Sequence, residues 1–263
     1  MPEPLSSLLA AVCADPDDDA PRLAYAAAIA AREPARAELI RLQLARSADE
    51  RTRGALVGAA SARERTLLER HGDDWARPID PFVRPTRRPR PDPGWRFERG
   101  FVAFVRIDAD TLASLGERLF QMAPIRHLDF DPGPPLREAL ASPLLGRLRT
   151  LGLPACKLDD DDAVALAANP HLGGVRWLDL RDNEIGDAGV AALAASPLVR
   201  AIPIVLLAGN PGDPAEQYAL DGDGSVADSW LPAAGAALEA RYDDVAWLHL
   251  PPYHRQPDRY HAR

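Results

Sequence analysis

The sequence feature that most constrains the fold of this chain is an apolar pattern that returns between Ile125 and Asn210. Four segments have apolar side chains at their first, fourth and sixth positions: IRHLDF (125–130), LRTLGL (148–153), VRWLDL (175–180) and IPIVLL (202–207). The second and third segments continue into alanine-rich stretches with helical spacing. Because each unit contains one strand and one helical return, the pattern predicts a fold built by stacking similar units.

The ninth position of successive units is Cys156, Asn183 and Asn210. With the apolar positions, it resembles the leucine-rich repeat, L-x-x-L-x-L-x-x-N/C-x-L. The resemblance implies an α/β fold, a short solenoid with parallel β-strands inside and helices outside. A buried asparagine needs hydrogen-bond partners, so we expect a ladder of side chains that bond to neighbouring turns. Cys156 is expected to fill the same structural position, not to act as a nucleophile or metal ligand.

The spacing of the units predicts the nature of the return segments. FVAFVRI (101–107) supplies a first strand, and the central strand positions are then 23, 23, 27 and 27 residues apart. The longer units are similar to repeats of the ribonuclease-inhibitor type, in which the return is a true helix. The expected buried faces of two such helices are Val164, Leu166 and Ala167, then Val190, Leu193 and Ala194. A proline recurs every 27 residues, at Pro143, Pro170 and Pro197. Each is expected to end a helix and to give the residue before it an extended backbone conformation.

The same alignment predicts which side chains share the concave face of the sheet, because alternate strand residues point to opposite faces. The third position of each unit gives Phe104, His127, Thr150, Trp177, Ile204 and Trp247, and the fifth gives Arg106, Asp129, Gly152, Asp179, Leu206 and His249. The seventh adds Asp131, Pro154, Arg181 and Ala208, with Asp182 just beyond. Tryptophan and arginine dominate the binding energy of many protein interfaces. We therefore predict a protein-binding surface of His127, Asp129, Trp177, Asp179, Arg181, Asp182, Trp247 and His249. The alternative is that the tryptophans only cover neighbouring aliphatic side chains.

The first 76 residues are predicted to form a small all-α domain. Residues 4–14, 22–33, 35–48 and 55–76 have helical character, and Asp17 to Asp19 are candidate N-caps for the second helix. LLAAVCADPDDDAPRLAYA (8–26), RAELIRLQLA (36–45) and WRFERGF (95–101) resemble the repeat-companion domain that precedes leucine-rich repeats in some bacterial proteins. The resemblance implies an architecture and no activity. It departs at Ala27 and Ala28, where the family usually has an acidic and an aromatic residue.

Residues 77–99 are rich in proline and arginine and have a local net charge of +4. One interpretation is a patch for phosphate or for an acidic partner. The favoured interpretation is an extended, solvated linker that also neutralises acidic neighbours such as Asp15 to Asp19.

Composition limits the class of function. The net charge of −8 argues against a general nucleic-acid or membrane-surface binder. No secretory signal and no membrane-spanning apolar run are apparent, and Cys13 and Cys156 lie far apart, so we expect a cytoplasmic protein without disulfides. The excess of arginine over lysine, with much alanine and proline, is typical of a GC-rich bacterial genome.

After Asn210 the pattern stops. Residues 211–230 form an acidic, glycine-rich insertion, and VAWLHL (245–250) is predicted to restore the strand. Asp221, Asp223, Ser225 and Asp228 do not match a calcium loop, because Val226 stands where an EF-hand needs glycine. His249, His254 and His261 lack the paired spacing of zinc sites. Neither a catalytic motif nor a cofactor motif occurs, so no metal, cofactor or catalytic residue is predicted.

The predicted organisation has four parts. Residues 1–76 are the helical repeat-companion domain, 77–99 the connector, 100–212 the leucine-rich repeats, and 213–263 the insertion, last repeat strand and C-terminal cap. The predicted function is non-catalytic recognition of a protein partner on the concave face, without nucleic acid or membrane. The alternative is an accessory subunit of a larger bacterial system that docks through its N-terminal helices and Arg-rich connector. A hydrolase that uses the 211–230 insertion is a remote alternative.

Overall fold

The computed structural model describes residues 4–53, 60–83, 93–133, 136–214, 233–243 and 245–249. Within them the strands are β1 (Trp95–Glu98), β2 (Phe101–Ile107), β3 (His127–Phe130), β4 (Thr150–Gly152), β5 (Trp177–Asp179) and β6 (Ile204–Leu206). They form a six-stranded sheet in this sequential order. β1 pairs with β2 antiparallel, whereas β4 with β5 and β5 with β6 pair parallel. The chain therefore has an α/β fold with a mostly parallel sheet.

The helices of the described residues precede the sheet, alternate with its strands or, for the last one, follow the final strand. They are α1 (Leu5–Ala14), α2 (Ala20–Ile29), α3 (Pro34–Arg53), α4 (Ala62–Ala76), α5 (Asp80–Val83), α6 (Ala109–Met122), α7 (Leu136–Leu140), α8 (Asp160–Ala167), α9 (Asp187–Ala195), α10 (Pro197–Arg200) and α11 (Ala233–Tyr242). The chain divides into two compact units. Unit 1 contains residues 1–107 and 114–127, and unit 2 contains residues 108–113 and 128–257.

Unit 1 confirms the predicted N-terminal helices, with shifted ends. Apolar side chains of α1, α2 and α3 share one core with the first residue of β2: Val12, Ala26, Ile29, Ala37, Ile40, Leu44 and Phe101. The N-cap prediction for α2 needs correction. Asp19 holds the N-cap position, but its carboxylate makes no capping hydrogen bond and accepts from Arg99 instead. The Asp18 carboxylate accepts from the amide of Ala20, the first residue of α2, at 2.9 Å.

The acidic turn before α2 is held by buried arginines of unit 1. Arg22 and Arg99 both donate to the carbonyl oxygen of Pro16, at 2.9 and 2.6 Å, and Arg99 also donates to the carbonyl of Asp17. Arg126 donates to the Asp17 carboxylate at 2.6 Å. Each charge is therefore buried or half-buried together with acceptors, as burial of a cation requires.

The interpretation of residues 77–99 as an extended, solvated linker is wrong where the structure describes them. Residues 80–83 form α5, Trp95 is buried in β1, and Arg99 is buried against the acidic turn. The neutralisation of Asp19 by this segment is confirmed, through Arg99. Residues 84–92, with four of the seven arginines, lie outside the described residues.

The turn between β1 and β2 shows why glycine follows Arg99. Arg99 and Gly100 have φ of 51° and 87°, the left-handed geometry of a two-residue hairpin turn. A Cβ on Gly100 would lie 2.7 Å from the Cα of Ile40 in α3. The Gly100 amide donates to Oε1 of Gln43 at 2.7 Å, so the hairpin and α3 are in direct backbone contact.

Unit 2 repeats its strands in register. Trp177 lies opposite Thr150 and Ile204, and Leu178 lies opposite Leu151 and Val205. This pairing confirms the predicted 27-residue alignment for these three strands. The apolar positions are buried as expected: Leu148, Leu151, Val175, Leu178 and Leu180 each have an exposed fraction of 0%.

The turns that follow these strands also repeat, and they confirm the asparagine ladder. Asn183 accepts from the amide of Leu158 and donates to the carbonyls of Leu153 and Leu180. Asn210, one repeat later, accepts from Ile185 and donates to Leu180 and Leu207. The residue directly before position 156, 183 or 210 has a positive φ in all three units: Ala155 (54°), Asp182 (58°) and Gly209 (78°).

Two of the return segments contain two short helices where the sequence analysis predicts one. Pro143 and Pro197 end one helix, as predicted, but each also starts a second one, a 3-10 helix at Pro143–Arg147 and α10 at Pro197–Arg200. A proline is favoured at this first helical position because its missing N–H has no partner there anyway. The expected burial of Val164 is wrong, since half of its surface is exposed, and Ala167 is only half-buried. The other expected positions, Leu166, Val190, Leu193 and Ala194, are buried.

The predicted strand at 245–250 is wrong. Residues Ala246–His249 form a 3-10 helix, so the register that placed Trp247 and His249 in the strand columns does not apply. Residues 215–230 of the predicted insertion and the tail from residue 250 lie outside the described residues, and with them Asp221, Asp223, Ser225, Asp228, His254 and His261.

Candidate functional site

The candidate site is one face of β4, β5 and β6 in unit 2, here called the Trp177 face. It is formed by alternate strand residues, which the parallel register aligns in two columns: Thr150, Trp177 and Ile204, then Gly152, Asp179 and Leu206. Asp129 of β3 and Arg181 beyond β5 complete it. Thr150, Asp179 and Leu206 are buried, whereas Trp177, Ile204, Asp129 and Arg181 are half-buried. Only these last four, with exposed Asp182, can therefore meet another molecule directly.

Asp179 and Arg181 form a fixed ion pair on this face. The Nε and Nη2 atoms of Arg181 donate to the two carboxylate oxygens of Asp179 at 2.8 and 2.6 Å, and the Arg181 amide donates to Oδ1 at 3.1 Å. The hydrogen bonds from Arg181 to Asp179 raise the pKa of Arg181 despite its partial burial. A two-point pair of this kind fixes the plane of the guanidinium, so Asp179 orients Arg181.

Gly152 makes room for Asp129. A Cβ at position 152 would collide with Oδ1 of Asp129, so the carboxylate lies directly over the backbone of β4. A side chain at this column position would displace it. Three carboxylates, Asp129, Asp179 and Asp182, contribute to the electrostatic environment of Arg181. The Trp177 face therefore combines one indole ring and one guanidinium in a negative field.

Cys156 lies in the turn that follows β4, where its side chain is buried. Its thiol contacts the carbonyl oxygens of Pro154 and Phe130 at 3.5 and 3.9 Å. Burial, with the nearby charges of Asp129 and Asp179, raises the pKa of Cys156 to about 12. The thiol is therefore protonated near neutral pH, as is typical of a cysteine buried among backbone carbonyls.

The structure brings together only some of the predicted site residues. Asp129, Trp177, Asp179, Arg181 and Asp182 are neighbours in unit 2. His127 belongs to unit 1, where its Nε2 lies 2.8 Å from a carboxylate oxygen of Glu98. Trp247 is buried, with 2% of its surface exposed, so it cannot serve as a surface anchor. His249 follows it in the 3-10 helix, and its side chain is outside the described part.

Ile204 was absent from the predicted site although it shares a column with Trp177. Its side chain is half-buried beside the indole ring, so it extends the apolar part of the accessible surface. The sequence does place Ile204 on this face, at the third position of its unit. It was left out of the predicted binding surface because that prediction favoured charged and aromatic residues.

The described arginines of residues 77–99 are engaged within unit 1. Arg77 pairs with Asp74, Arg96 lies over the ring of Phe104 at 3.8 Å, and Arg99 pairs with Asp19. Over the described ranges, no group of three or more histidine, cysteine or carboxylate side chains is arranged to hold a metal. Nor does any helix in those ranges have the length and apolar character needed to cross a membrane.

Comparisons of the chain with protein-family models, with curated proteins and with solved structures find no match.

Proposed function

We propose that this chain is a leucine-rich-repeat protein with ribonuclease-inhibitor-like units and an N-terminal repeat-companion domain, and that it binds a protein partner without catalysing a reaction. The repeat assignment is supported by the hydrogen bonds of Asn183 and Asn210, which are the same when displaced by 27 residues. The companion-domain assignment is supported by Arg22 and Arg99, two residues of the resembling segments, which both hold the acidic turn.

The observation that carries the binding proposal is the pairing of a half-buried indole with an oriented guanidinium on the Trp177 face. Both groups stand on strands, so a partner would find them already ordered and would lose little conformational freedom on binding them. Trp and Arg side chains supply much of the energy in interfaces of this kind. The carboxylates of Asp129 and Asp182 favour a partner segment that carries positive charge.

The test is a comparison of three single variants against a partner captured from the native host and then purified. Trp177→Ala removes the ring, Arg181→Ala removes the guanidinium, and Val164→Ala is the matched control, an exposed apolar residue on α8 of the same unit. We expect Trp177→Ala to weaken binding by tenfold or more, which corresponds to about 1.4 kcal/mol or more. Calorimetric or surface-plasmon Kd values measure this.

Val164→Ala is expected to bind as the unmodified chain does, and circular dichroism must show that all three variants are folded. Equal Kd values for Trp177→Ala, Arg181→Ala and the unmodified chain would rule out the Trp177 face as the binding surface. In that case the accessory-subunit alternative, docking through the N-terminal helices and the connector, becomes the proposal to pursue.

A further inference from the structure

The guanidinium of Arg36 in unit 1 lies close to two aromatic rings. It lies in the first turn of α3, and its guanidinium carbon is 5.8 Å from the ring centre of Trp75 in α4 and 5.6 Å from that of Phe101 in β2. Phe101 is part of the buried core of the unit. The guanidinium is therefore held in place by packing from two elements distant in sequence.

No described residue accepts a hydrogen bond from Arg36 or forms an ion pair with it, and its Nε is buried without a partner. The other core arginines of this unit differ. Arg22 donates to two backbone carbonyls, and Arg99 pairs with Asp19. Burial lowers the pKa of Arg36, which shows that its charge is poorly compensated. Arginine nevertheless stays charged, because even a lowered guanidinium pKa remains far above neutral pH.

Tyr25 stands beside this guanidinium. Its ring packs edge-on against Phe101, with ring centres 5.2 Å apart, and it is half-buried. Among the described residues its hydroxyl has no hydrogen-bond partner either. Two polar groups that can donate hydrogen bonds, both packed on Phe101, thus have no acceptor among the described residues. Arg36, Tyr25, Trp75 and Phe101 are called the Arg36 stack below.

We propose that the Arg36 stack binds an oxyanion, a carboxylate or phosphate group carried by a ligand or partner. Rings that cover the faces of a guanidinium stabilise its charge and leave its N–H edge free to donate. Two parallel N–H donors match the spacing of two oxygens on a carboxylate or a phosphate. The hydroxyl of half-buried Tyr25, whose ring also packs on Phe101, supplies a further donor.

Glu33 limits the affinity of this site. It lies just before α3, and its charge acts on Arg36 without a hydrogen bond between the two side chains. An incoming anion is repelled by Glu33 while it is attracted by Arg36. Removal of the Glu33 charge is therefore expected to tighten anion binding. This site is separate from the Trp177 face, and either proposal can fail without the other.

The test uses the full chain, labelled with 15N and titrated with inorganic phosphate, with acetate, and with chloride as a control, at constant ionic strength. The indole N–H resonance of Trp75 and the Nε–H resonance of Arg36 report binding. We expect saturable shifts with phosphate or acetate at a Kd of about 1–10 mM, as suits a single small anion, and none with chloride. Phosphate alone would assign a phosphorylated ligand, and acetate alone a carboxylate ligand.

The variants separate a built site from general attraction to positive charge. Arg36→Gln should abolish the Trp75 shift, Arg36→Lys should weaken binding about tenfold because it keeps the charge but loses the paired donors, and Glu33→Gln should tighten it. Arg41→Gln, an exposed residue of the same helix, is the matched control and should bind normally. Should Arg36→Gln not fold, Arg36→Lys decides. Absence of any saturable shift up to about 50 mM, or a shift that persists in Arg36→Gln, overturns the proposal.

Discussion

Glu98 and His127 show how one hydrogen bond changes the ionisation of an exposed carboxyl group. Desolvation of Glu98 opposes its charge, but the hydrogen bond and charge of His127, with the charges of Arg99 and Arg22, lower the pKa of Glu98 to about 2. Nearly half of the Glu98 side chain remains exposed, so solvent screens the pair and limits its contribution to stability.

This pair makes stability depend on pH in a defined direction. A glutamate titrates near pH 4.3 in the unfolded chain, and a lower folded pKa means that its contribution is complete above that pH and is lost as pH falls toward about 2. We expect Glu98→Gln to unfold at a lower temperature than the unmodified chain at pH about 5, and the difference to shrink as pH approaches 2. Thermal melts followed by circular dichroism measure it.

Glu184→Gln is the control, because Glu184 is exposed and forms no side-chain ion pair with a described residue. It should melt like the unmodified chain at each pH. A gap between Glu98→Gln and the unmodified chain that stays constant from pH 5 to 2 would contradict the assignment.

For single residues, the sequence predicts the contacts of side chains that recur in each repeat. It does not predict contacts between segments that lie far apart in the chain. The asparagine positions were visible because their neighbours recur at a fixed spacing. Arg36 was not, because Trp75 and Phe101 approach it from α4 and β2. Pairing of Arg99 with Asp19 was foreseen only as charge neutralisation, without the buried carbonyls that complete it.

The turns of unit 2 are held by hydrogen bonds from asparagine side chains to the backbone. The side chain of Asn183 bonds to backbone groups of its own turn and of the previous one, at distances of 2.7 to 3.1 Å. Its loss leaves the Leu158 amide and two buried carbonyls without that partner. Each unsatisfied buried group costs about 1–3 kcal/mol, and partial rehydration reduces the sum.

We expect Asn183→Ala to lower the free energy of unfolding by about 3 kcal/mol. Cys156→Ala, at the equivalent position of the previous unit, should cost about 1 kcal/mol, because its thiol makes only weak, long contacts. Urea unfolding gives both values. Glu184→Ala, next to Asn183 and exposed, should change stability by no more than about 0.5 kcal/mol. If Asn183→Ala and Cys156→Ala cost the same, the hydrogen bonds do not hold the turn.

The apolar pattern of the sequence predicts some of the secondary-structure elements and not others. Strands β2 to β6 and helices α1 to α4 follow from the spacing of their apolar residues. The second short helix after Pro143 and after Pro197 was not foreseen, because a proline was treated only as a helix end. The 3-10 helix at Ala246–His249 has the apolar pattern that was expected for a strand. A segment of six residues is too short for its apolar spacing to distinguish a helix from a strand.

For the whole molecule, unit 1 depends on helices and hairpin together. Residues 1–76 supply most of the core around Phe101, the Gln43 acceptor for Gly100, and the acidic turn for Arg99. A chain that begins at residue 77 would keep Phe101, Arg99 and β2 but lose what buries them. Exposed core surface favours aggregation.

We therefore expect residues 77–263, produced alone, to elute as aggregates in size-exclusion chromatography and to bind a hydrophobic dye, while the full chain does neither. A monomeric fragment with a cooperative thermal transition would show that unit 1 does not need its N-terminal helices. Because the truncation disturbs the fold of unit 1, single variants such as Trp177→Ala test partner binding more cleanly.

The identical bonding of Asn183 and Asn210 bears on how a gene for such a chain can change length. Each asparagine reaches back to the unit before it, so a duplicated unit of 27 codons would present the same acceptors and donors to both its neighbours. An insertion of any other length inside β5 or its turn would leave one asparagine facing the wrong carbonyls. In unit 2, growth or loss by whole units is thus the route that preserves the hydrogen bonds.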